Sequence, residues 1–542
     1  MSVVATPRDG PLVVLASSRA VLTLPDDSLI LSPATISMSP VSGKIVSIVP
    51  AVLPKSSFPP SVTYKDYSPR VLIPGLVDAH VHLNEPGRTE WEGFNTGTRA
   101  AASGGVTTVV DMPLNAVPPT TTLEGFKVKL AASQGQCWVD VGFYGGVIPG
   151  NADQLLPLVE AGVRGFKGFL IDSGVEEFPA VSSHDIALAM KTLKDAPTTL
   201  MFHAEMIPPI TDSVGDSVQQ SDPPLAPRGE LASYQTFLQS RPPAFETYAV
   251  EEILSLAELA PKLHLHIVHL SALECIPILR EARARGINIT AETCFHYLAL
   301  ASDHIEDGDT RHKCCPPIRE LSNQDRLWEE LAADDSCIRT VVSDHSPCTP
   351  ELKLLPTHLQ TLDVDEGVED TFQNQAFIKH SDSGVDVTLP RNEPQPKIQV
   401  EGAGDFFAAW GGISSVGLGL PILYTAASER AEQGEKVPGL VDIVRLCSQA
   451  TARQVGLADR KGGLRVGMDA DVCVFDEADV WTLRAGGMRW KNKCSPWEGH
   501  TFRGRVQETW LRGQKVFQHG GVNGGFVGGK PVGRPIVDRR TA

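Results

Sequence analysis

The sequence predicts an α/β fold: a (β/α)8 barrel of the TIM type, joined to a small β-sandwich made from both chain ends. Three features predict it. Between residues 74 and 459, short apolar runs alternate with longer helical stretches about eight times, the pattern of a parallel sheet. Those runs are apolar almost throughout, so the strands are buried on both faces, as in a barrel. No Gly-rich phosphate fingerprint follows the first run, which argues against an open doubly wound sheet.

The elements follow in order. Residues 1–73 contain "PLVVLAS", "AVLTL" and "GKIVSIVP", β-branched runs separated by Pro, Ser, Asp and Gly. The same texture returns after residue 460 in "GGLRVGMDADVCVFD" and "GRVQETWLRGQKVFQHG", so 1–73 and 460–542 are expected to pair into one composite domain. The last twenty or so residues are Gly-rich and predicted irregular. The barrel strands are "VLIPGLVDAH", "VTTVVDM", "VDVGFYGGV", "VRGFKGFLI", "TTLMFHAE", "LHLHIVHLS", "INITAETC" and "IRTVVSDHS". Helices are predicted around 96–103, 152–161, 249–259, 273–285, 405–410 and 440–455. Residues 352–403, with "DVDEGVED" and "LPRNEPQPKIQVEG", are charged, Pro-rich and aperiodic, and predict a surface insertion.

Composition narrows the function. The chain has 542 residues, 42% of them hydrophobic, enough for a large core. Its formal charge of −17 argues against nucleic acid and anionic membrane as partners. No run of eighteen apolar residues predicts a transmembrane helix. The opening residues lack a basic stretch before an apolar one, so no leader is expected, and the terminal "DRRTA" is no familiar address signal. Ten scattered cysteines without framework spacing predict reduced thiols and a cytoplasmic protein.

The chemistry lies at the strand ends. In "VDAHVHLNEPGRTEWEG", His80 and His82 are two residues apart at the end of an apolar run. Residues i and i+2 of a strand share a face, so the two imidazoles project together, as ligands of one metal ion would. His203 ends "TTLMF", His269 ends "LHLHIV", Asp344 ends "IRTVV", and Lys167 lies in the apolar "GFKGFLI". A single strand-end histidine is ordinary, and His345 competes with Asp344 as a polar strand-end group. His264 and His266 have the opposite parity to His269 and are read as structural. The set says more than its members: four His, one Asp and one Lys at the ends of five strands converge on one barrel mouth and match the donors of a binuclear metal site. A charged lysine in an apolar strand is costly. Carboxylation of Lys167 by carbon dioxide would remove that cost and supply two oxygens that bridge two cations.

These residues, in this order, resemble the cyclic amidohydrolases of the amidohydrolase superfamily. The flanks "GLVDAHVHLNEPGRTEWEGF", "TGTRAAASGGVTTVVDMPLN", "GFKGFLIDSGVEEFP", "SDHSPCTPELK" and "WGGISS" are similar to those of the eukaryotic allantoinases within that family. The resemblance covers about 71–351 and 404–515. It departs at Phe295 in "ETCFHYL", where the family more usually has Pro, which bears on loop geometry and not on the metal ligands. It implies a barrel with a β-sandwich, with His80, His82 and Asp344 on one metal ion, His203 and His269 on a second, and carboxylated Lys167 bridging both. The ions are expected to be zinc. Asp344 is implied as the catalytic proton carrier, allantoin as the substrate and allantoate as the product, within purine catabolism, and a homo-oligomer, with a tetramer favoured, as the assembly. Dihydroorotases usually carry Arg, for a substrate carboxylate, at the position of Asn84; a neutral amide suits a neutral ring. Asn115 in "MPLN" and Ser346 in "SDHS" match positions that bind substrate, and Cys315 stands where hydantoinases commonly have Ser. A dihydropyrimidinase or hydantoinase is the alternative enzyme. A non-catalytic assembly protein of the dihydropyrimidinase type is disfavoured because all six ligand positions are filled.

Overall fold

A computed structural model describes residues 11–208, 227–360 and 401–541. Strands β1 (Val13–Thr23), β2 (Leu29–Ser39), β3 (Lys44–Val49), β4 (Thr63–Asp66) and β5 (Val71–Pro74) come from the head of the chain. β1 is one strand with an irregularity between Ser17 and Ala20, where the sequence suggested two. The barrel strands are β6 (Leu76–Val81), β7 (Val106–Asp111), β8 (Asp140–Phe143) with its continuation β9 (Gly145–Gly146), β10 (Phe166–Phe169), β11 (Thr199–His203), β12 (His264–Ile267), β13 (Ile289–Cys294) and β14 (Ile338–Val342). The tail supplies β15 (Val472–Thr482), β16 (Thr501–Leu511) and β17 (Gln514–Gln518).

The barrel is built from parallel pairs running β6-β7-β8 and β9-β10-β11-β12-β13-β14. It closes where Val81 bridges His345 and the His82 N–H donates to the His345 carbonyl at 2.8 Å. Strand burial is nearly complete: all six residues of β6 and of β7 are buried, as two-sided packing requires. Helices Phe94–Ser103, Ala152–Glu160, Pro243–Ser255 and Cys275–Ala284 follow their strands near the predicted places, and Leu440–Val444 and Ala450–Gln454 occupy the predicted stretch at 440–455.

Head and tail strands join in one eight-stranded sheet ordered β17-β16-β15-β5-β1-β2-β3, with β4 on β1. The antiparallel pairing of β15 with β5 (Val472 to Pro74, Phe475 to Val71) ties the tail to the head. Leu15, Ile36, Leu72, Val474 and Trp510 form its own core cluster. Gly75 turns β5 directly into β6, and it must be glycine, because a Cβ there would lie 2.2 Å from Thr107 Oγ1. A buried charge knot locks this junction: Lys461 Nζ lies 2.7, 3.0 and 2.7 Å from Asp140, Asp469 and Asp471.

One expectation needs correction, and a second lies mostly outside the described residues. The helix predicted at 405–410 is a series of turns. The Asp405 carboxylate accepts from the Phe407 and Ala408 N–H groups at 2.7 and 3.0 Å, which stabilises a turn in competition with a helix. The insertion was placed at 352–403. Of that span, 361–400 lies outside the described residues, Leu352 lines the barrel mouth, and Lys353 is bonded to the segment that lines it. Lys353 Nζ is bonded to the Trp410 carbonyl at 3.1 Å and to that of Gly412, while the Trp410 N–H donates to the Leu352 carbonyl at 2.7 Å. The neck is closed by a 2.7 Å hydrogen bond from the Gly404 N–H to the Leu354 carbonyl.

Candidate metal centre and substrate cavity

All six predicted ligands meet at the C-terminal mouth of the barrel. His80 lies within β6, with His82 just past its end, and their ring centroids are 5.6 Å apart. His80 Nε2 and His82 Nε2 approach Asp344 Oδ1 at 3.1 and 3.5 Å. On the other side, His203 Nδ1 faces His269 Nε2 at 3.1 Å. The His80 and His269 rings are 5.5 Å apart, so the two groups adjoin. Lys167 is fully buried, and its Nζ has no hydrogen-bond partner among the described residues. His269 and Asp344 follow their strands and take positive φ (38° and 44°). Such backbone costs of order 1–3 kcal/mol at a non-glycine residue and persists where the surroundings over-determine it.

Electrostatics fit metal ligation. Burial pushes the His82 imidazole down to about 4 and lowers His203 and His269 as well, so these rings are neutral near pH 7, with lone pairs to give. Burial also brings the Lys167 amine down to about 8. Burial alone would raise the Asp344 carboxyl, but the neighbouring His80 and His82 hold it well below the usual carboxylate range. Neutral imidazoles, a carboxylate and an orphaned buried amine form two adjoining N/O donor groups, a set suited to divalent ions. The donor atoms of His80, His82 and Asp344 all lie within 4.8 Å of one another. Cys294 and His296 approach Asp344 within the same limit.

A cavity of about 420 Å³ opens over these ligands. Asn115, Cys315 and Ser346 line it, as expected. The Asn115 amide lies 3.3 Å from His82 Nδ1, and Ser346 Oγ lies 3.0 Å from Asp344 Oδ1. Asn84 is not brought to the wall: it is buried, and its amide donates to the Pro347 carbonyl at 3.3 Å.

Two buried glutamates, which the strand-end pattern does not mark, stand behind the histidines. Glu292 Oε1 holds His80 Nδ1 at 2.5 Å, and Oε2 meets His266 Nε2 at 3.1 Å. Glu205 Oε2 meets His203 Nε2 at 2.8 Å and accepts from Arg241 Nη1 at 2.6 Å. His266, read as merely structural, therefore braces the carboxylate that orients His80. The signal was present: Glu in the apolar "ITAETC" and in "FHAE" is buried charge that needs a partner.

Barrel, mouth cavity and paired donor groups together define a parallel barrel protein with a candidate metal centre at its mouth. Two amidohydrolase family models match, at residues 71–214 and 424–517. An allantoinase of Saccharomyces cerevisiae is 44% identical over 94% of this chain and 96% of its own. One of Streptomyces avermitilis is 37% identical over 90% and 92%. The solved L-hydantoinase (dihydropyrimidinase) of Arthrobacter aurescens superposes with a TM-score of 0.76 over 97% of this chain and 99% of that one, at 23% identity, a likeness of fold. The chain belongs to the allantoinases of the amidohydrolase family.

Proposed function

We propose that the enzyme opens the hydantoin ring of allantoin to give allantoate, with His80, His82 and Asp344 holding one ion, His203 and His269 the other, and carboxylated Lys167 bridging them. The observation that carries this reading is the convergence of these six side chains on one mouth in a chain 44% identical to a yeast allantoinase. Bound divalent ions supply Lewis acidity toward the ring carbonyl and activate a water near neutral pH. The protein does the rest. The Lys167 amine, neutral in part at pH 7, attacks carbon dioxide and loses a proton, leaving a carbamate. Asn115 and Ser346 offer hydrogen bonds to the ring from the cavity wall. Asp344 takes the proton of the attacking water and returns it to the departing ring nitrogen.

Zinc is the proposed ion, on the His-rich donor set. The barrel is assigned to 74–459 and the small β domain to 1–73 with 460–542. Ten free cysteines support a reducing compartment, for which we propose the cytoplasm, and the family resemblance supports a homotetramer. No helix among the described residues is long and apolar enough to cross a membrane. A substrate panel of allantoin, hydantoin, dihydrouracil and dihydroorotate on zinc-loaded protein tests the reading. Allantoin is expected to have the highest kcat/KM, and a preference for either six-membered ring would overturn the assignment.

A further inference from the structure

We propose that Asp172 and Arg241 form a subsite for the ureido arm of allantoin and so decide which cyclic amide the shared metal site accepts. The proposal rests on the reading that allantoin is the substrate.

Both residues line the mouth cavity with His203, His269 and Lys167. Asp172 lies on the loop that leaves β10. The residue is exposed at the cavity rim; its Oδ1 accepts the Gly174 N–H at 3.0 Å, while Oδ2 accepts no hydrogen bond from any described residue. Arg241 lies just past helix Tyr234–Ser240. One guanidinium nitrogen, Nη1, is taken by Glu205 at 2.6 Å. The other two make no hydrogen bond to a described residue, and the side chain keeps 17% exposure at the cavity. Burial opposes its charge, but the Glu205 and Asp172 carboxylates favour it, so the cation is retained.

The chemistry of the arm matches this pair. A ureido group is planar, with one carbonyl acceptor and N–H donors on its opposite edge. A guanidinium donates to the carbonyl, and a carboxylate accepts the N–H groups, both in planar geometry. Hydantoin and dihydrouracil carry no such arm. The ring itself can be served by the neutral Asn115 and Ser346 elsewhere on the wall. The pair therefore adds what a generic cyclic-amide site lacks: charge complementary to a neutral but strongly polar substituent.

Arg241 has a competing role, as a strut that holds Glu205 and through it His203. The test separates the two. Asp172→Asn touches neither Glu205 nor His203, and Arg241→Lys keeps a cation for Glu205 but loses the planar fork. Both variants are loaded with zinc and assayed for metal per chain, for kcat and KM with allantoin, and for the competition constant of hydantoin against allantoin. The expected result is two zinc ions per chain, an allantoin KM raised about 10–100-fold as one charge-assisted hydrogen bond is lost, and a hydantoin constant that moves far less. An allantoin KM within threefold of the wild type in Asp172→Asn overturns the proposal, as does a parallel rise for hydantoin or loss of zinc from that variant. Failure of the wild-type enzyme to hydrolyse allantoin would instead sink the functional reading, and the subsite with it.

Discussion

Glu292→Gln tests the metal centre from behind. Glu292 is buried and makes two bonds, to His80 Nδ1 at 2.5 Å and to His266 Nε2 at 3.1 Å. Burial alone would raise its carboxyl, but His80 and His266 bring it down to about 2, so it is charged throughout the working pH range. Glutamine keeps the shape and removes the charge. Two charge-assisted bonds become neutral ones, each weaker by about 0.5–1.5 kcal/mol, or about 1–3 kcal/mol together. That corresponds to roughly 5–150-fold, and it brackets the loss of about 10–100-fold seen when the partner behind a metal-bound histidine is removed. The expected phenotype is weaker zinc affinity, read by dialysis against chelator-buffered zinc, with turnover largely restored by excess zinc. Zinc affinity within twofold of the wild type would refute the claim that Glu292 orients a ligand.

Lys167→Ala is expected to lose both metal ions and all activity, with partial rescue by short carboxylic acids; a variant with two ions and normal turnover would remove the bridging role. In the wild type, an amine near 8 gains neutral fraction about tenfold per pH unit below that value, so reactivation of stripped enzyme by zinc, at a fixed concentration of dissolved carbon dioxide, should accelerate about tenfold from pH 6 to 7 and level off above about 8. Asp344→Asn should keep some metal but lose about 10²–10⁴-fold in kcat, the usual worth of general acid–base assistance; a loss under tenfold would assign proton transfer to another group. Replacing 361–400 with a short Gly/Ser linker should leave allantoin turnover within a few-fold, because the neck at Leu354 and Gly404 is already closed and loop length costs little. A folded, metal-loaded deletion protein without turnover would make that segment part of the active site.

The barrel was legible because its strands had to be apolar on both faces and its helices had to follow them. The cluster at the mouth was legible because polar side chains ending apolar runs stand out: His203 and Lys167 on β11 and β10, His269 and Asp344 just past β12 and β14. What failed to show was whatever depends on contacts between distant segments. Lys353 reads as the edge of a charged insertion, and only its bonds to the carbonyls of Trp410 and Gly412 tie it to the segment that lines the mouth. Residues 405–410 have helix-compatible composition, yet Asp405 caps its own turn, and Lys313, bonded to the Phe407 carbonyl at 2.9 Å and to that of Ala409, fastens the segment as irregular backbone. Asn84 has the side chain of a substrate contact, but its positive φ of 61° and its bond to Pro347 set it behind the wall.

The supporting carboxylates explain why this cage can exist before any ion enters it. Four histidines packed this closely would be a poorly satisfied core, since each ring needs a partner for its N–H. Glu292 meets that need for His80 and His266 together, and Glu205 meets it for His203 while being neutralised in turn by Arg241. Each glutamate would be strongly destabilising if unpaired at this depth, so the pairings bind the two tiers into one unit. The ring nitrogens turned away from the glutamates, His80 Nε2 and His203 Nδ1, are the ones left facing Asp344 and His269. The orientation of these rings is thus set by hydrogen bonds to the chain itself.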